Sequence, residues 1–257
     1  MSKINEHQKR IIMSEKSIFR HVPNTITFLN LFCGCLSIVS TFSGMLDFAA
    51  YFILAASVFD FFDGFTARWL KAYSELGKQL DSLADMVSFG VAPASVMYVL
   101  VLHATMEYDL YIPGYLVASA AYLIAVFSAL RLAKFNIDTR QTESFIGLPT
   151  PANAIFICSL AFISSGNHSL TILTENIFFL LAVIVIFSYL LMAELPLFSL
   201  KLKSFDWKSN KIRYIFVILS AFILIALSWA GLAAVILVYI ILSIFKQISC
   251  KRKVLDS

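Results

Sequence analysis

Charge is what these 257 residues have least of. Only 14% are Asp, Glu, Lys or Arg, against about 25% in a typical soluble domain. Apolar residues make up 60%, more than a chain of this size can enclose, which excludes a water-soluble domain. Cysteine is scarce too. Cys33, Cys35, Cys158 and Cys250 contain no CxxC pair, which excludes a disulfide framework or a zinc site. The four histidines, His7, His21, His103 and His168, are scattered and read as structural or solvated. Residues 1–22 lack the apolar core and small-residue cleavage site of a signal peptide.

What is present is a succession of apolar runs. Eight of them, near 24–43, 47–68, 77–102, 113–133, 149–165, 176–193, 212–229 and 231–248, have about the 20 residues that cross a hydrocarbon core of about 30 Å. The expectation is an all-α, polytopic membrane helical bundle of about eight spans. With a cytosolic amino terminus, all 20 Lys and Arg residues fall on the cytosolic side, while the external loops carry only Asp47, Glu107, Asp109 and Glu175. The positive-inside rule then puts both termini in the cytosol. The link loops are too short for a second soluble domain. The implied divisions are an amino-terminal segment at 1–22, a membrane domain at 23–200, a helix pair at 201–248 and a basic tail at 249–257. In the first, Ile11, Ile12, Ile18, Phe19 and Val22 recur at helical spacing among basic residues. That pattern fits a helix lying on the inner leaflet, and equally a solvated charged tail.

The membrane is charged in one place. The stretch FDFFDGFTARWLKAYSELGKQLDSLADMVS puts Asp60, Asp63, Gly64 and Ala67 on one helix face, and Gly77, Asp81 and Asp85 on one face of the next. Each intramembrane acid costs roughly 2.5–3.5 kcal/mol on insertion, which makes such residues functional candidates. At 1.5 Å of rise per residue, Asp63 lies about 9 Å and Asp60 about 13 Å inward of Trp69, while Asp81 and Asp85 lie about 6 and 12 Å inward of Gly77. Asp60 is therefore expected to face Asp85, and Asp63 to face Asp81, in a pocket open to the cytosol. Four adjacent carboxylates repel one another. Hard divalent cations remove that conflict, and two of them can clamp a phosphoryl group. Arg68 adds a fork-shaped cation suited to phosphate. An ion pair or a small-residue packing contact explains Gly64 or Ala67 singly, but not four acids with one basic partner.

The string D-x2-D-G-x2-A-R-x8-G-x3-D-x3-D, met by Asp60, Asp63, Gly64, Ala67, Arg68, Gly77, Asp81 and Asp85, resembles the signature of the CDP-alcohol phosphatidyltransferases. The resemblance implies two divalent metal ions, Mg²⁺ or Mn²⁺. Asp60, Asp63 and Asp81 would ligate one and Asp60, Asp81 and Asp85 the second, with Asp85 as general base. It also implies that Gly64, Ala67, Arg68, Ser74 and Gly77, with Pro23, Asn24 and Thr27 of the PNTIT segment, line the CDP-diacylglycerol site. Homodimers are the family expectation, and no nucleic-acid partner is implied.

PNTITFLNLFCG at 23–34, SFGVAPA at 88–94, RLAKFN at 131–136 and FIGLPTPANA at 145–154 resemble the phosphatidylserine synthase branch, with Lys134 where that branch usually has Arg. The implied acceptor is L-serine. Arg131, Lys134 and Asn136 are the candidate serine contacts, since an arginine can hold a carboxylate bidentately. Basic residues at a cytosolic helix end also follow from topology alone. The implied location is the cell membrane, with the site facing the cytosol. A glycerol-phosphate or inositol-phosphate acceptor would call for more arginines than Arg68 and Arg131. The one HxK, His7-Gln8-Lys9, lacks a downstream acid and does not fit phospholipase-D-type chemistry. A cation transporter is the rival from another class, but its sites usually lie at the midplane between inverted repeats. Pro93 is expected to kink the third span.

Overall fold

The computed structural model describes residues 2–72, 74–108, 111–137, 145–166, 170–194, 196–197 and 207–255. The chain is all-helical apart from one short antiparallel pairing, β1 (Phe145–Ile146) with β2 (Pro196–Leu197). Helices α1 (Ser2–Phe42), α2 (Leu46–Trp69) and α3 (Glu75–Asp85) come first. Helix α1 runs without a break through Pro23, so its backbone joins the amino-terminal segment directly to the first span. The side chains of residues 1–20, and with them the amphipathic face expected there, lie outside the described residues, as do Asp109, Arg140, Lys201 and Lys203.

A tight turn makes α1 and α2 antiparallel neighbours, and α3 packs against α1 as well. Gly44, at φ +78°, ends α1 in the left-handed conformation that glycine adopts without strain, and Met45 donates to Ser40 O at 2.9 Å. At the other end of α2, Lys71 takes φ 51° and Ala72 donates to Ala67 O at 3.0 Å. Ala49, Ala50 and Ala56 are fully buried and let α2 pack closely on its neighbours. Ser37 of α1 donates to Ala49 O at 2.9 Å, and the thiol of Cys158 reaches Ala50 O at 3.7 Å, which sets the register of three helices.

The third span is not a uniform helix. After α3 comes a π-helical turn, Met86–Val91, followed by α4 (Ala92–Thr105). Pro93 has no N–H for the carbonyl of Phe89, and its ring crowds that carbonyl. The break falls ahead of the proline, where the hydrogen bonds lengthen by one residue and Ala92 donates to Val87 O. Pro93 itself sits in the first turn of α4, where prolines are tolerated.

A fourth stretch, Gly114–Ile137, contains α5 (Gly114–Ala118), a 3₁₀ turn (Ser119–Tyr122) and α6 (Leu123–Ile137). Then follow α7 (Thr150–Ser165), α8 (Thr171–Glu175), α9 (Ile177–Met192), α10 (Trp207–Leu227) and α11 (Gly231–Leu255). Among the described residues, five stretches are long and apolar enough to cross a membrane: His21–Phe42, Leu46–Trp69, Glu75–Thr105, Gly114–Ile137 and Asn210–Phe245. The last contains both α10 and α11, while α7 and α9 are apolar but shorter. Large apolar side chains such as Ile186, Phe222 and Ile225 face outward, as lipid-facing residues do. The chain is a membrane protein built from helices.

Candidate active site

Helix α1 packs on both α2 and α3 and brings the intramembrane acids of those two helices together. Asp60, Asp63 and Asp81 each present a carboxylate oxygen, all within 4.8 Å of one another. Asp85 completes the group within hydrogen-bond reach of Asp60. Asp63 is buried, and the other three are half-buried. Helix α1 supplies the neutral partners. The hydroxyl of Thr27 donates to Asp63 Oδ2 at 2.8 Å, and Asn30 Nδ2 donates to Asp85 Oδ1 at 3.4 Å. Asn30 lies in the PNTITFLNLFCG stretch at 23–34, but carries no charge that would mark it as a partner of Asp85.

The π-helical turn begins at the residue after Asp85. Ser88 donates to Asn30 O at 3.0 Å, and a Cβ added to Gly34 would overlap Ser88 Oγ. This close approach presses α1 onto the turn and holds Asn30 against Asp85.

A cavity of about 620 Å³ opens beside Asp63 and Asp81. It is lined by Pro23, Asn24, Thr27, Gly64, Ala67, Arg68, Ser74 and Gly77, and also by Ala72, Glu75 and Lys78. Its mouth is organised by the start of α3. Ser74 caps that helix by accepting a hydrogen bond from Gly77 N at 3.0 Å. A Cβ on Gly77 would sit 2.9 Å from Ser74 Oγ and 3.1 Å from Asn24 Oδ1, so only glycine leaves this corner open. Arg68 is exposed at the rim and near enough to Asp63 to interact with its charge.

Of the three residues at the end of α6, the structure brings one to the acids. Arg131 is buried, interacts with the charge of Asp85, and its Nε has no hydrogen-bond partner among the described residues. Lys134 is exposed. The side-chain amide of Asn136 donates to Ser82 Oγ at 2.8 Å, while its backbone carbonyl accepts from Lys78 Nζ at 3.0 Å. Asn136 thus fastens α6 to α3 on the flank of the site.

A donor set of clustered carboxylate oxygens with no sulfur or imidazole suits a hard divalent cation, and the residues present fit such an ion. Asp63 and Asp81 line this arginine-rimmed cavity, whose volume is far larger than a lone phosphate needs. This arrangement suits transfer of a phosphoryl group carried by a membrane-embedded molecule.

Known proteins resemble this chain in sequence. The chain is 39% identical over 142 residues to a Bacillus subtilis protein named CDP-diacylglycerol–serine O-phosphatidyltransferase, covering 55% of this chain and 76% of the relative. A Helicobacter pylori protein of the same name is 33% identical over 175 residues, 67% of this chain and 70% of the relative. Archaetidylserine synthase of Methanothermobacter thermautotrophicus is 35% identical over 162 residues, 62% of this chain and 65% of the relative. The model of the CDP-alcohol phosphatidyltransferases matches residues 20–189, from the first span through α9, and the chain belongs to that family.

Proposed function

We propose that this protein transfers the phosphatidyl group of CDP-diacylglycerol to the hydroxyl of L-serine, releasing CMP and leaving phosphatidylserine in the bilayer. One observation carries the reading: every position expected to line the nucleotide site borders a single cavity, which Asp63 and Asp81 of the aspartate cluster also line. The names of the serine-specific relatives support the choice of acceptor.

In the reaction, the serine oxygen forms a bond to the phosphatidyl phosphorus, the phosphorus–oxygen bond to CMP breaks, and the hydroxyl proton passes to Asp85. Asp60, Asp63, Asp81 and Asp85 would hold two divalent ions, Mg²⁺ or Mn²⁺, which when bound neutralise the charge of the phosphate oxygens. Thr27 and Asn30 keep Asp63 and Asp85 in fixed rotamers through their hydrogen bonds. Arg68 reaches the diphosphate from the rim, where its planar fork matches phosphate oxygens. Gly64, Ala67, Ser74 and Gly77, with Pro23 and Asn24, accommodate the nucleotide. Arg131 holds the serine carboxylate, with Lys134 and Asn136 at the outer edge of the acceptor site. Burial strengthens the Arg131 contact, because a desolvated charge pair is screened little.

The concentration of Lys and Arg on one side orients the site to the cytosol, in the cytoplasmic membrane, with eight spans and both termini inside. A homodimer is the expected assembly.

The test is CMP release by the detergent-solubilised chain from CDP-diacylglycerol, Mg²⁺ or Mn²⁺ and a panel of alcohols. Serine is the expected acceptor. Turnover of glycerol 3-phosphate without serine would overturn the assignment.

A further inference from the structure

The hydroxyls of Ser128, Thr150 and Ser188 have no hydrogen-bond partner among the described residues, while other buried hydroxyls find a backbone carbonyl one turn away, as Thr41 and Ser95 do. Two carboxamides do not. Asn30 on α1 and Asn153 on α7 are both fully buried. Asn30 turns its Nδ2 to Asp85, which leaves Oδ1 facing elsewhere without a hydrogen-bond partner among the described residues. Asn153 has a partner there for neither Nδ2 nor Oδ1. Each unpaired buried polar atom costs about 1–3 kcal/mol, a cost that leucine at either position would avoid.

The two amides lie at one level. Asn30 is seven residues from Ser37, which bonds Ala49 O, and Asn153 is five residues from Cys158, which reaches Ala50 O. Counted along the antiparallel helices, their depths agree within about 2 Å, roughly 6–8 Å membrane-ward of Asp60. Both α1 and α7 pack on the π-helical turn that follows Asp85. Within that turn, the flexible thioether of Met86 lies against Gly90.

We propose that Oδ1 of Asn30 and Oδ1 of Asn153 accept hydrogen bonds from the α-ammonium of the acceptor, and so select a zwitterionic amino alcohol over a phosphorylated one. This rests on the serine reading above. A free amino acid acceptor brings a carboxylate, which Arg131 takes, and an ammonium with three donors and no acceptor. Neutral amide oxygens suit that ammonium and add no charge beside the metal-binding acids. A phosphate group would meet the same two oxygens with only acceptors of its own. The unpaired, desolvated atoms would then penalise it, which is the stronger form of discrimination.

The test uses the full chain in detergent and two measurements: KM for serine and Ki for 3-hydroxypropionate, which keeps the hydroxyl and carboxylate but lacks the ammonium. In Asn153→Leu, the serine KM should rise about 10- to 100-fold, the worth of a hydrogen bond to a charged group, while Ki moves less than about twofold. Both quantities are independent of the fraction of active protein, so partial misfolding does not mimic the result. Asn153→Asp, which keeps an acceptor for the ammonium, should restore the serine KM to within about tenfold of the parent. A parallel rise of KM and Ki, or no change in either, would show that the amides serve packing or a buried water, and would overturn the inference while serine remains the substrate. A parent protein that does not turn over serine would overturn the functional reading as well.

Discussion

Thr27 on α1 donates a 2.8 Å hydrogen bond to Asp63 on α2, a residue 36 positions away, and this bond fixes one carboxylate of the aspartate cluster from a helix that carries no acid of its own at the site. Helix α1 therefore acts as the back wall of the aspartate cluster. Thr27→Val keeps the side-chain shape and removes the donor. The affinity for Mn²⁺, read from the electron paramagnetic resonance of the free ion, should fall about 10-fold, the worth of one hydrogen bond to a charged group. Unchanged Mn²⁺ affinity would show that Asp63 orients itself.

Substituting the acids separates metal holding from proton transfer. Asp60→Asn should abolish Mn²⁺ binding together with CMP release. Asp85→Asn should lower CMP release at least about 100-fold, the usual contribution of a general base. Chelation by EDTA should stop the parent protein, and added Mg²⁺ or Mn²⁺ should restart it. Serine turnover that survives Asp85→Asn at near parental rate would remove Asp85 from the role of base.

Gly77→Ala tests the corner of the cavity. The new methyl meets Ser74 Oγ at 2.9 Å and Asn24 Oδ1 at 3.1 Å. Overpacking of about 1–3 kcal/mol should raise the KM for CDP-diacylglycerol about 5- to 150-fold, with the serine KM little changed. Equal effects on the two substrates would place the damage in the fold rather than in the nucleotide site.

Gly34→Leu tests the joint between α1 and the π-helical turn. Its side chain would collide with Ser88 and separate Asn30 from Asp85. A loss of about 1–3 kcal/mol of stability is expected, visible as a lower unfolding temperature, together with slower CMP release. Retained activity at the parental unfolding temperature would show that the helices re-pack without cost.

The membrane orientation has its own test. With single cysteines at Lys71 and Met106, both exposed in the fold, an impermeant thiol reagent applied to intact cells should label Met106→Cys alone. Labelling of Lys71→Cys from outside would invert the topology.

Composition and spacing sufficed for much of this. A chain with 60% apolar and only 14% charged residues has no soluble solution. Asp60, Asp63, Asp81 and Asp85 were legible because helical periodicity alone decides which residues share a face. The π-helical turn was not, since Pro93 announces a break without saying where the ladder slips. Asn30, Asn153 and the burial of Arg131 were equally hidden. Asn30 meets Asp85 across 55 residues and Ser88 across 58, and no local pattern encodes such pairings.

The sequence by itself determined that the protein lives in a membrane and that its few intramembrane charges lie on facing sides of two adjacent helices. Both follow from local physics: the cost of charge in hydrocarbon and the pitch of the α-helix. Only the tertiary structure decided which neutral side chains hold those acids and which of the three basic-end residues of α6 turns inward. Those choices depend on how closely α1, α7 and the π-helical turn approach one another, and that distance is set by glycine and alanine contacts between helices far apart in the chain.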